Sequence, residues 1–126
     1  MIGVTILDRD PSGLLAPTLI DLLTLLRPFA ASLTWVASDV EAVGNGAAAL
    51  HDAANRSIRL TLDELLQLAK SIEQVIDGEF AGYNVEEQKQ LVIRVVDSTA
   101  FDVETHDASI AALVEAKFLQ SRRYDG

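Results

Sequence analysis

The sequence predicts an α+β fold: one domain with an antiparallel sheet, including a three-stranded C-terminal meander, and helices packed on one face. Two observations carry that expectation. Apolar residues recur at helical spacing as far as Ile72, and from Gln74 the period drops to that of a β-strand for three short runs. At 126 residues, 49% hydrophobic and 23% charged, the chain also fits a single globular domain with a core of its own. No repeat, low-complexity tract or domain boundary interrupts it, and residues 120–126 read as a frayed tail.

Val4 to Leu7 is a short apolar run closed by the polar cluster DRDPSG, as expected of a first strand. From Ser12 the chain reads as helix, with Pro17 near its start and Pro28 ending or bending it. Thr18, Asp21 and Thr24 form one thin polar stripe on that helix, and leucine and isoleucine cover the rest. A segment apolar around most of its girth is central to the core or covered by a second chain, so a homodimer through the Leu14–Leu26 helix is one expectation.

Thr34 to Val40 suits a second strand, with Trp35 in its core-facing set. The glycines of Gly44–Gly46 then turn the chain into an alanine-rich helix. The following helix has the clearest start signal: Thr61 as N-cap, Glu64 completing a capping box, and Leu60 stapling onto Leu65. The meander comprises Gln74–Tyr83, Leu91–Val96 and Phe101–Thr105. A last helix from about Ala108 to Leu119 places Ile110, Leu113, Val114 and Phe118 on one face.

Composition removes several function classes. Ten Lys+Arg against nineteen Asp+Glu give a formal charge of −9, which repels phosphate backbones, so no nucleic-acid partner is expected. With no cysteine there is no disulfide framework, thiolate metal site or cysteine nucleophile. A membrane span over Leu14–Leu33 would bury Asp21 and Arg27 in hydrocarbon at a few kcal/mol each. No basic region of a signal peptide precedes that run either, so the chain reads as cytoplasmic.

Alternation sorts the meander into two faces. Ile76, Phe80, Leu91, Ile93, Val95, Phe101 and Val103 form the core face; Asp77, Glu79, Arg94, Asp102 and Glu104 form the other. The default reading of the second face is a solvated surface with cross-strand charge pairs. The functional reading is a docking surface for a basic protein, with Tyr83 at its border as an anchor. A metal or acid/base role ranks last, because Asp77 and Glu79 sit at ordinary strand spacing with no accompanying motif. Gly78 and Gly82 read as marks of a bulge or of close ring packing.

GNGAAA at Gly44–Ala49 satisfies a loose dinucleotide pattern but lacks the second half such a fold needs, and a glycine turn explains it. His51-Asp52 and His106-Asp107 are sequence neighbours that do not face each other on a helix, and Ser98 has no nucleophile-elbow context. No catalytic residue, metal ligand or cofactor is therefore assigned. The expectation is a small acidic bacterial protein-binding domain of the immunity or antitoxin kind, recognising a basic partner through Asp77, Glu79, Tyr83, Arg94, Asp102 and Glu104. The alternative is a ligand-binding domain or enzyme with a pocket between helices and sheet.

Overall fold

A computed structural model describes residues 1–125 and shows a six-stranded antiparallel sheet backed by helices on one face. The strands are β1 (Ile2–Ile6), β2 (Thr34–Val43), β3 (Gln74–Tyr83), β4 (Lys89–Val96), β5 (Ala100–Thr105) and β6 (Ser121–Asp125). The helices are α1 (Leu19–Leu25), α2 (Arg27–Ala30), α3 (Ala47–Asn55), α4 (Leu62–Ala69) and α5 (Ala108–Lys117). Strand order is β2-β3-β4-β5-β1-β6, so the expected meander forms the centre and the two early strands join the same sheet. Among the described residues no helix is long and apolar enough to cross a membrane.

Alternation decides which side of each strand is covered. Val4, Ile6, Phe80, Ile93, Phe101 and Val103 all point into the core, where Leu22, Leu23, Leu26, Leu50 and Leu65 of the helices meet them. Burial of each such side chain contributes about 1.5–3 kcal/mol. Trp35 is also fully buried; its indole N–H donates to the Ala30 carbonyl at 3.2 Å, and its backbone exchanges two hydrogen bonds with Leu60. The ring expected against Gly82 is that of Trp35, and the strand pairing slips by one residue between Gly82 and Tyr83.

The helix expected from Ser12 begins only at Leu19. Ala16 precedes a proline, which disfavours helical backbone there, and Thr18 caps α1 in a box closed by Asp21. Residues before it form a tight loop in which the Asp10 amide donates to the Leu14 carbonyl and Gly13 adopts φ 86°. As expected, the helix is broken ahead of Pro28: α1 stops at Leu25, and Pro28 sits in the first turn of α2, where its missing N–H costs nothing. The continuous Leu14–Leu26 helix through which two copies were expected to pair is therefore not formed. Leu19, Leu22, Leu23 and Leu26 are buried, while Leu14 lies outside the helix and is 62% exposed.

The C-terminal residues correct a second expectation. Ser121–Asp125 do not fray but pair with β1 along its whole length, which makes β1 an interior strand. The Leu7 amide donates to the Gln120 carbonyl, and the Gln120 amide donates to the Asp8 carboxylate, so the turn into β6 is tied from both sides. Gly126, counted in the expected tail, lies outside the described residues. On α5, Ile110, Val114 and Phe118 are buried as expected, but Ala111 replaces Leu113 on the inner face.

Candidate functional site: the helix-free face of the sheet

Two cross-strand rows define the face that carries no helix. One runs Ser38, Glu79, Arg94, Asp102, Thr5 and Arg122 from β2 to β6. The neighbouring row runs Val36, Ala81, Val92, Glu104, Gly3 and Tyr124. Ala81 and Val92 are buried without belonging to the main core, because the longer side chains around them close over them. The face thus has a small apolar centre inside a charged and aromatic border.

Arg94 organises that border. Its Nε donates to Glu79 Oε1 at 2.8 Å on β3, and its Nη1 donates to Glu104 Oε1 at 2.7 Å on β5. Arg94 thereby reaches diagonally past Asp102, the residue directly opposite it. Asp102 instead accepts the Thr5 hydroxyl at 2.7 Å. The second oxygen of Glu104 accepts the Tyr124 hydroxyl at 3.1 Å. Burial works against the Arg94 charge, yet the hydrogen bonds and charges of Glu104 and Glu79 outweigh it and hold the guanidinium above its usual value. Burial first, then the charges of Asp102 and Glu104, also push the Tyr124 hydroxyl above the ordinary tyrosine range.

Exposure along the network is graded. The Glu104 side chain is 11% exposed, Glu79 30% and Arg94 35%, so Glu79 and Arg94 present polar surface while Glu104 anchors them from beneath. Of the residues expected on this face, Glu79, Arg94, Asp102 and Glu104 come together on three adjacent strands. Asp77 lies on the same face at one end of β3, opposite Glu41, and its carboxylate accepts the Asp97 amide at the β4–β5 turn at 2.9 Å. Tyr83 stands at the other end of β3, about 20 Å away by strand rise, with Arg59 and Lys89 each 5.9 Å from its ring centre. Cations at that end make it distinct from the acidic centre.

Thr5, Glu41, Arg122 and Tyr124 were not read from the sequence as part of this face. Glu41 lies beyond a bulge at Asp39, whose φ of 52° shifts the alternation of β2. The other candidates serve local structure. His51 Nε2 accepts the Ala42 amide at 3.1 Å, Asp52 pairs with Arg56 one turn on, and Asp107 caps α5 by accepting from Ser109. Hydrogen bonds from Ser109 to its side chain and then its backbone contact hold the Asp107 carboxyl below its usual value. The Gly44–Gly46 turn joins β2 to α3, but the next strand, β3, runs antiparallel to β2, so the parallel crossover of a dinucleotide site is missing. Gly44 has φ 119°, and a side chain there would meet the Glu73 amide. Among the described residues no group of three or more His, Asp or Glu side chains is placed to hold a metal ion.

Compared with models of known protein families, with curated proteins and with solved structures, the chain matches none.

Proposed function

We propose that this chain is a protein-binding domain whose helix-free sheet face receives the basic surface of a partner, in the manner of an inhibitor or immunity protein. The observation that carries this reading is the placement of Glu41, Asp77, Glu79, Asp102 and Glu104 on the one sheet face that no helix covers, in a chain of formal charge −9. Carboxylates on that face outnumber Arg94 and Arg122, and such an imbalance speeds encounter with a cationic surface and rejects anionic ones. Ala81 and Val92 are already covered by their longer neighbours, so the surface this face offers a partner is polar and charged.

The test pairs capture with a footprint. Tagged protein is recovered from its source cells, and the co-purifying chain is identified and titrated back against wild type and a Glu41→Lys, Glu79→Lys, Asp102→Lys variant. Glu104 is left intact, because reversing it would place two cations together in a nearly buried position. The proposal expects a basic partner, protection of β3–β5 from hydrogen exchange, and an association rate at least about tenfold lower for the variant. Equal rates for a variant whose circular dichroism is native, or protection confined to the helices, would overturn it.

A further inference from the structure

On the opposite side of the sheet from that face, a cleft of about 370 Å³ opens between the Asp10–Thr18 loop, the end of α4 and the start of β3. Its floor is formed by Leu19, Ala69 and Phe101, all buried. Leu14, Ile20, Val43, Ile72 and Val75 form its walls; Leu14 is 62% and Val43 42% exposed. A concavity of this size with an apolar lining and a few polar groups has the proportions of a small-molecule site.

The loop that forms one wall is a built element. The Asp10 carboxylate accepts the amides of Ser12 and Leu14, the Ala16 amide donates to the Asp8 carbonyl, and Arg9 reaches the Thr99 carbonyl. These bonds hold Leu14 out at the cleft rim, while Leu15 lines the cleft and packs against the core. The charged groups of the lining are Asp10 and Glu73, and no lysine, arginine or histidine contributes to it. Gln74, Thr18 and Ser98 add neutral polar atoms. The hydrogen bond from the Ser12 hydroxyl, against a smaller effect of burial, keeps the Asp10 carboxyl below its usual value and hence ionised.

We infer that this cleft binds a small, mainly apolar molecule carrying an ammonium group. The apolar walls take the hydrocarbon body, and the carboxylates of Asp10 and Glu73 select a cation over an anion of the same shape. This site is independent of the sheet face, and either can stand without the other.

The probes are phenethylamine, phenethyl alcohol and hydrocinnamate, which share one ring and chain length and differ in end-group charge. Each is titrated into the full chain while amide chemical shifts are followed by NMR. The inference expects saturable shifts at Leu14, Ile72, Val75 and Phe101 with phenethylamine, and binding of hydrocinnamate at least about tenfold weaker. A Glu73→Gln, Asp10→Asn variant, which keeps the acceptor oxygens of the loop, should erase that preference while retaining binding of the alcohol. Val43→Trp, at an exposed wall position, should close the cleft to all three. Absence of saturable shifts with phenethylamine would overturn the inference, as would equal affinity for amine and carboxylate or shifts mapping away from the cleft.

Discussion

Gly3 and Tyr124 are paired across β1 and β6, and the Tyr124 ring occupies the space that a side chain at position 3 would need. The ring lies flat over the glycine and carries its hydroxyl to Glu104 on the strand beyond. Gly3→Ala should displace the ring and cost about 1–3 kcal/mol, the usual penalty of overpacking. Tyr124→Ser should relieve the clash, so the second substitution should cost less in the Gly3→Ala background than in wild type. Urea midpoints for the four proteins of this cycle provide the check; simple additivity would mean that the ring does not depend on Gly3.

Tyr124 also makes alkaline stability predictable in sign. Its hydroxyl is held above the ordinary value by burial and by the charges of Asp102 and Glu104. The folded chain therefore keeps a proton that the unfolded chain releases above about pH 10. Any stability tied to that proton is complete below the unfolded value and declines as pH rises toward the folded one. Tyr124→Phe should show a flatter alkaline limb in thermal unfolding between about pH 9.5 and 11 than wild type. Parallel limbs would contradict the half-buried placement of this hydroxyl against Glu104.

Arg94 joins β3 to β5 through two carboxylates and supplies the charged partner of each, Glu104 having the Tyr124 hydroxyl besides. Arg94→Met keeps most of the side-chain packing but leaves Glu104 charged and nearly buried. Removing one partner of a fully buried pair costs about 3–5 kcal/mol, and the partial exposure here lowers the expectation to about 2–3 kcal/mol. Arg94→Lys offers a point charge in place of a two-pronged donor and should recover only part of the loss. Chemical denaturation at neutral pH measures both. A loss below about 0.5 kcal/mol for Arg94→Met would reduce the network to an ordinary surface pairing.

What the sequence disclosed follows from how far apart the interacting residues lie. The Gln74–Thr105 meander and the Thr61–Glu64 capping box were legible because period and capping are local properties. The same alternation placed Glu79, Arg94, Asp102 and Glu104 on one face. Thr5 and Tyr124 escaped notice because they meet Asp102 and Glu104 only through pairing between the two ends of the chain. Composition also misled at Leu14–Pro17, where apolar residues look helical but backbone hydrogen bonds from Asp10 and Gly13 build a loop. Thr18 and Asp21, read as part of a polar stripe, instead form the capping box that starts α1.

His51 illustrates how a sheet irregularity recruits a side chain from elsewhere. The pairing of β2 with β3 shifts between Glu41 and Ala42, and the Ala42 amide leaves the ladder to donate to His51 Nε2 on α3. That nitrogen must be unprotonated to accept, so the ring carries its proton on Nδ1. His51→Ala would leave a backbone N–H of a buried residue without a partner, at about 1–3 kcal/mol. His51→Gln, which retains an acceptor oxygen, should recover part of that stability. The Ala42 amide should exchange with solvent faster in His51→Ala, whereas the Lys70 amide, bonded to Leu66 within α4, should not change beyond the global effect. Nitrogen chemical shifts of the wild-type imidazole at neutral pH should identify Nε2 as the bare nitrogen. Finding the proton there would mean that the histidine cannot satisfy the strand.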